Sequence, residues 1–494
     1  MIISRKLATE RECVFDTIIR NVEIFDGTGG QPFYGDLAIH NDRIAMVGDL
    51  VGQSAHVEIN GQGLALAPGF IDVHTHDDTN VIRYPECLPK ISQGVTTVIV
   101  GNCGISASPT ILAGDPPDPM NLLGEQIDFK YPTFASYAQA VTQAKPAVNV
   151  AALVGHTTLR NNVMDNLLRT ATDTEIEQMQ TALSLAMEQG ALGLSSGLAY
   201  ANAKQATADE VMCLAKVLGQ YGGIYTTHMR TEFEEILSAM EEAFETGQFA
   251  KVPVVISHLK CAGAGNWGRT VEVVNLMEKA AKYQDVACDC YPYSASSSTL
   301  DLNQVTEDID IFITWSKKRP QFAGKMLKQI AQEMGLPLME AAKALQPAGA
   351  VYHCMDEQDV KRVLKYRLTM VGSDGLPNDP HPHPRLWGTF PKVLGHYCRD
   401  EQLFSLQEAI HKMTGMSAKR YNLSGRGIIK QNAFADLVLF NPKTMKDTAT
   451  FENPISLADG IEKVFVNGVL AYFNGQVSES RNGVFIYRNK ESFN

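Results

Sequence analysis

The sequence predicts an α/β chain built around a (β/α)8 TIM barrel, with a small β-sandwich or barrel domain made from both chain ends. Three observations carry this expectation. The two ends read as β structure, eight strand-length apolar runs between them each stop at a polar or reactive residue, and several of those stops lie about 30 residues apart. His228 to His258 is one such interval, long enough for one strand, one helix and their loops.

At the N-terminal end, Asp16 to Phe25 and Gly35 to Val47 alternate and turn like antiparallel sheet, the second stretch broken by the polar turn His40-Asn41-Asp42-Arg43. At the C-terminal end, Ala435 to Phe440 reads as a short strand. Val464 to Val466 then meets Val469 to Ala471 across Asn467-Gly468, a pair suited to the positive φ values of a two-residue hairpin. Residues 1–64 and 425–494 are therefore expected to form one small β domain, and residues 65–424 the barrel.

The eight runs are Ala65 to Val73 before His74, Thr97 to Val100 before Asn102 and Cys103, Val148 to Val154 before His156, and Ala191 to Leu194 before Ser195. They continue with Ile224 and Tyr225 before His228, Val252 to Ile256 before His258, Val286 to Cys290 before Tyr291, and Leu368 to Val371 before Asp374. Active sites of such barrels form at the C-terminal strand ends, so these endings are expected at one mouth. The interval from Tyr291 to Asp374 is much longer than the others and contains helix-like text, Ala323 to Met334 and Leu338 to Leu345. It reads as a lid-like insertion between strands 7 and 8, at about residues 297–366.

A chain of 494 residues with 45% hydrophobic content can bury a large core. With 43 Lys plus Arg against 55 Asp plus Glu, the net charge of -12 disfavours a nucleic-acid partner, and an anionic substrate needs a local cation. Met1 to Phe15 lacks the apolar core of a secretory signal, and no run approaches the ~20 apolar residues that span a bilayer. A cytoplasmic protein without a membrane partner is expected, as a monomer or small homo-oligomer. The nine scattered cysteines fit reduced thiols better than a disulfide framework.

His74-Thr75-His76 follows the first barrel run directly, and on extended chain both imidazoles share one face. Such a pair alone is weak, because neighbouring histidines are common. His228, His258 and Asp374 change its weight, since a barrel gathers these distant residues at one rim.

Gly69-Phe70-Ile71-Asp72-Val73-His74-Thr75-His76, with His on strands five and six and Asp on strand eight, resembles the amidohydrolase superfamily. Gly101-Asn102-Cys103-Gly104, Ser195-Ser196-Gly197-Leu198-Ala199-Tyr200, Thr227-His228-Met229-Arg230 and Ser257-His258-Leu259-Lys260 narrow the likeness. With Tyr291-Pro292-Tyr293, Ser373-Asp374-Gly375 and the stretch His383 to Gly395, they resemble the N-acyl-D-amino-acid deacylase (D-aminoacylase) branch, over about residues 16–475. Strand four ends without the lysine that bridges two metals in many superfamily members, and Cys103 matches the position of a thiolate ligand.

The resemblance implies one tight Zn2+ site at Cys103, His228 and His258, a donor set that suits zinc. It implies that His74 and His76 line the same cavity or hold a second, weaker metal, with Asp374 close enough to touch it. The expected reaction is hydrolysis of N-acyl-D-amino acids by a metal-activated water, with Asp374 as general base and then acid. Arg385 is expected to anchor the substrate's α-carboxylate. Tyr291 and Ser296, or a neighbouring serine, are expected to add hydroxyl donors, with Lys260 and Tyr200 near the substrate side chain. The D preference rests on the resemblance alone. Cys288 and Cys290 are expected in the barrel interior, His381 and His383 on an extended loop without metal, and the pattern leaves the role of His156 open. The alternatives are a cyclic-amide hydrolase or deaminase of the same superfamily, which shares the barrel and most of the histidines, and a non-catalytic scaffold on the same barrel.

Overall fold

In the computed structural model, residues 15–489 are described. The small domain is a nine-stranded sheet wrapped around one apolar core that includes Ile19, Leu37, Ile44, Leu66, Leu437 and Phe465. Phe15–Ile24 pairs antiparallel with Phe33–His40, which turns through Asn41 into Arg43–Gly48. From the other chain end come Leu437–Phe440, Ile461–Val466 and Val469–Phe473. The last two are joined through Asn467 (φ 47°) and Gly468 (φ 79°), the pair of positive dihedrals that matches strand twist. The sheet is mixed rather than purely antiparallel, because Ala55–Asn60 and Ala65–Pro68 both run parallel to the first strand.

The apolar run Ala65 to Val73 is two strands, not one. Ala65–Pro68 pairs with Leu437–Phe440 in the small domain, whereas Phe70–Asp72 opens the barrel. The chain changes sheets at Gly69, where a Cβ would lie 2.1 Å from Thr96 Cγ2.

Eight parallel segments form the barrel: Phe70–Asp72, Val95–Val100, Asn149–Ala152 continued by Val154–Gly155, Gly193–Gly197, Ile224–His228, Val254–Ile256, Val286–Cys290 and Thr369–Val371. We number them barrel strands 1 to 8. Ile71, Ile99, Ala151, Ile224, Val255, Ala287 and Met370 fill the interior, and a larger apolar layer lies between strands and helices. Strands 8 and 1 close the barrel with little ladder: one bridge joins Thr75 to Gly375, Asp374 N donates to His74 O at 2.7 Å, and Ser373 N donates to Asp72 Oδ1 at 2.8 Å.

Alternation along strand 7 turns Ala287 and Asp289 inward. Cys288 and Cys290 therefore face the helix layer, which corrects their expected place in the barrel interior. His156 opens the helix His156–Val163, and its Nε2 lies 2.8 Å from Glu210, which also holds the buried Arg160. That is a packing role.

Between strands 7 and 8, the insertion contains an antiparallel sheet in the order Ser296–Thr299, Ala348–Tyr352, Ile311–Ser316, Lys325–Met326, together with helices Leu327–Met334 and Leu338–Leu345. Glu357–Lys365, counted above with the insertion, packs on strand 8 and on the helix Thr270–Ala280 as a barrel helix does. Among the described residues, no helix is long and apolar enough to cross a membrane.

A buried polar knot joins barrel to small domain. Asp436 pairs with Arg426 and accepts from Asn149 Nδ2 at 3.1 Å and from Asn467 N at 2.8 Å. Asp436→Ala should leave the Arg426 cation buried and unpaired, at a cost of about 3–5 kcal/mol. A clearly lowered denaturant midpoint is expected, and an unchanged midpoint would show that the knot carries no stability.

Candidate metal centre

The six residues expected as metal donors project from five strand ends. His74 and His76 follow strand 1, Cys103 follows strand 2, His228 closes strand 5, His258 follows strand 6 and Asp374 follows strand 8. Two groups of donor atoms result. Cys103, His228 and His258 place one ligand atom each within 4.8 Å of one another, and so do His74, His76, Cys103 and Asp374. Cys103 belongs to both.

Three of these residues have left-handed backbone, with φ 53° at Cys103, 37° at His258 and 49° at Asp374. Side chains other than glycine avoid that region. The text around Cys103 is built to allow it. Gly101 (φ 80°) and Gly104 (φ 78°) bracket the turn, and Cβ atoms there would lie 2.3 Å from Leu153 O and 2.6 Å from Gly197 N. Ser195 of strand 4 then ties both sides, donating to Gly101 O at 2.5 Å and accepting from Gly104 N at 3.0 Å.

The donor set fits zinc in chemistry and spacing. Tetrahedral zinc, with bonds of about 2.3 Å to sulfur and 2.0–2.1 Å to nitrogen, sets a thiolate and an imidazole about 3.6 Å apart. Cys103 Sγ lies 3.4 Å from His258 Nε2 and 3.2 Å from His74 Nε2. Burial opposes ionisation of Cys103, yet the imidazoles of His74, His258 and His228 hold its thiol well below its ordinary value.

Asp374 Oδ1 lies 3.0 Å from His76 Nε2 and 3.4 Å from His74 Nε2, and its Oδ2 lies 2.9 Å from Arg385 Nη1. Burial pushes its carboxyl up, but Arg385 and the imidazoles outweigh burial and hold it well below the usual range. Arg385 opens the helix Arg385–Lys392, donates from Nη2 to Ser297 O at 3.0 Å, and stacks 4.6 Å from the Tyr291 ring centre. Tyr291 Oη, Ser297 Oγ and Arg385 Nε are buried without a hydrogen-bond partner among the described residues.

The other expected residues are placed less simply. The Tyr200 ring lies 4.8 Å from that of His228, tilted 47° to it. Lys260 is buried, 2.5 Å from Glu232 Oε1 and 2.9 Å from His258 Nδ1, so its charge is balanced inside the protein. Ser296 turns its hydroxyl toward Cys354 Sγ at 3.4 Å; the serine against Arg385 is Ser297. His383 Nδ1 accepts from Arg385 N at 2.9 Å, and His381 lies 2.7 Å from Phe451 O, so neither joins the donor groups.

Two carboxylates escaped the sequence reading. Asp289 lies 3.2 Å from His74 Nδ1 and accepts from His258 N at 2.8 Å. Glu232 lies 2.9 Å from His258 Nδ1. Each orients an imidazole through the nitrogen opposite the donor atom, the usual support of a metal-binding histidine. An acid within the apolar strand Val286–Cys290 was the available signal for Asp289, because a buried carboxylate needs partners. Nothing in the text distinguishes Glu232.

A profile described as the Amidohydrolase family matches residues 57–472. A D-aminoacylase of Alcaligenes xylosoxydans xylosoxydans is 48% identical over 466 residues, covering 94% of this chain and 96% of that one. A D-aminoacylase structure, studied for a binuclear centre with one-metal activation and second-metal attenuation, superposes with TM-score 0.94 at 46% identity, covering 96% of this chain and all of the other. An N-acyl-D-glutamate deacylase from Bordetella bronchiseptica, solved with zinc and a phosphonate mimic of the tetrahedral intermediate, gives TM-score 0.93 at 40% identity over 96% and 100% of the two chains.

Glu232→Gln removes the negative partner of His258. Support residues of this kind change metal affinity by about 10- to 100-fold. Zinc retained during dialysis against a graded chelator series should fall by at least about tenfold in affinity, and wild-type retention would assign Glu232 to packing alone.

Proposed function

Because the chain belongs to the amidohydrolase family, matched over residues 57–472, we propose that it hydrolyses the amide bond of N-acyl-D-amino acids, with zinc held by Cys103, His228 and His258. The reading is carried by one observation: a thiol and two imidazoles stand within 4.8 Å of one another, beside a carboxylate that is paired with a buried arginine. When bound, zinc supplies Lewis acidity and lowers the pKa of a water it holds to about 7.

The chain's own groups do the rest. Asp374 takes a proton from the attacking water and returns it to the leaving amine; its carboxylate form suits the first transfer, and its contact with His76 keeps it beside the donor groups. Arg385 receives the substrate's α-carboxylate through its Nε edge, which has no hydrogen-bond partner among the described residues, and is held in place by Ser297 O and the face of Tyr291. Tyr291 Oη, buried and without a hydrogen-bond partner among the described residues, donates to the substrate. His74 and His76 line the same cavity, or hold a second, weaker metal together with Cys103 and Asp374. Lys260 is balanced by Glu232, which favours an uncharged substrate side chain next to Tyr200 and Lys260.

Turnover of N-acetyl-D-methionine, N-acetyl-L-methionine, N-acetyl-D-glutamate and dihydrouracil in parallel tests this. The D-methionine derivative should be fastest, whereas turnover of dihydrouracil alone would replace the reading with cyclic-amide hydrolysis. Asp374→Asn should keep its tight zinc and lose roughly 10²- to 10⁴-fold in kcat. Cys103→Ser should lose the metal itself. Normal kcat in the Asp374 variant would end its role as proton carrier. Arg385→Met should chiefly raise KM for carboxylate-bearing substrates, and an unchanged KM would leave Arg385 as the structural partner of Asp374.

A further inference from the structure

Beneath the seam between strands 8 and 1 lies a buried charged cluster that the reaction above does not use. Lys90, in the short helix Leu88–Ile91 between strands 1 and 2, is 1% exposed. Its Nζ lies 2.9 Å from Asp72 Oδ2, 3.2 Å from Asp77 Oδ2 and 2.7 Å from Ser373 Oγ. Burying an ammonium is expensive unless partners surround it, and here two carboxylates and a hydroxyl do so.

Two of those partners grip the chain on either side of Asp374. Asp72 Oδ1 accepts from Ser373 N at 2.8 Å, and Ser373 Oγ accepts from Gly375 N at 3.2 Å. Between them, Asp374 N donates to His74 O at 2.7 Å. Three consecutive amides are thereby satisfied in a turn whose centre, Asp374, has φ 49°. A Cβ at Gly375 would sit 2.7 Å from Leu386 Cδ1 and 3.3 Å from Lys90 Nζ, so the turn fits closely over the lysine. Three residues on, buried Gln93 donates to Leu386 O at 2.8 Å and accepts from Phe390 N at 3.2 Å, gripping the helix that begins with Arg385.

We propose that Lys90 is a positioning residue for Asp374: by fixing Asp72 and Ser373, it holds the left-handed turn that aims the Asp374 carboxylate at His74 and His76. This rests on the reading of Asp374 as the proton carrier. Lys90 reaches no donor atom of the centre, so its effect on the reaction passes through the turn. A displacement of about 1 Å in a reacting group can cost about 10²-fold in rate.

The test is a double-mutant cycle of Lys90→Met and Asp374→Asn, assayed with N-acetyl-D-methionine, with zinc content measured for each variant and a crystal structure of Lys90→Met. Lys90→Met should retain its tight zinc, lose about 10- to 100-fold in kcat with KM changed less than about twofold, and show the Asp374 carboxylate withdrawn from His76. In the Asp374→Asn background the same change should cost less than about twofold. Equal losses in both backgrounds, or an Asp374 carboxylate still in place, would reduce Lys90 to packing and overturn the proposal. Full activity in Asp374→Asn alone would instead overturn the reading on which it rests. Should Lys90→Met fail to fold, Ser373→Ala removes the hydroxyl that joins Lys90 to Gly375 N; it should give the same non-additive pattern, and additive losses would overturn the proposal.

Discussion

The centre depends on keeping Cys103, His258 and Asp374 in a backbone conformation that their side chains disfavour. Such residues cost about 1–3 kcal/mol each, so the three together cost about 3–9 kcal/mol. That is comparable with the whole stability of an ordinary domain, about 5–15 kcal/mol. The surroundings offset it locally. Ser195 bonds both sides of the Cys103 turn, Asp289 accepts from His258 N while its own carbonyl accepts from Leu259 N at 2.8 Å, and Asp72 with His74 O holds the Asp374 turn. Left-handed backbone turns each side chain away from the direction its strand would give it, so donors from strands 2, 6 and 8 reach one another instead of pointing out of the barrel mouth.

The same side chains serve twice. Asp289 holds the His258 backbone and also faces His74 Nδ1; Glu232 faces His258 Nδ1 and neutralises Lys260. Hydrogen bonds to charged groups are stronger than neutral ones, and removing one partner leaves the other buried and unsatisfied. Replacement of Asp289 therefore releases an imidazole and a backbone turn together, whereas replacement of Glu232 releases the His258 imidazole and leaves the Lys260 ammonium without its counter-charge. This coupling ties the support of the centre to the closure of the barrel, because the contacts between strands 8 and 1 are largely the contacts that fix Asp374.

What was legible in the sequence follows from how local each signal is. An apolar run ending in His228 or Asp374 is a feature of a few neighbouring residues, and the Asn467-Gly468 turn of two. These could be read directly. Lys90 and Ser373 are 283 positions apart, and only the closed barrel brings them within 2.7 Å. Nothing near Lys90 in the text marks it as other than a helix lysine. In Cys288-Asp289-Cys290, alternation lets one side of the strand face the centre and not both, and the acid takes that side. The sheet in the insertion was hidden for another reason: Ser296–Thr299 is all hydroxyl residues and becomes a strand by pairing with Ala348–Tyr352, far along the chain.

That hydroxyl strand also shows how labour is divided on the proposed reading. The proton carrier and the metal donors stand on barrel strand ends, where eight strands fix one another. The carboxylate anchor Arg385 spans two parts instead: Nη1 meets Asp374 of the barrel, and Nη2 meets Ser297 O at the first strand of the insertion. A shift of the insertion moves Ser297 O and so changes how the guanidinium is held, while the donor groups around Cys103 stay where the barrel puts them. The insertion therefore meets the reacting groups through Arg385, which it shares with Asp374, and through the Tyr291 ring beneath the guanidinium, so a change in the insertion reaches the substrate anchor before it reaches the donors around Cys103.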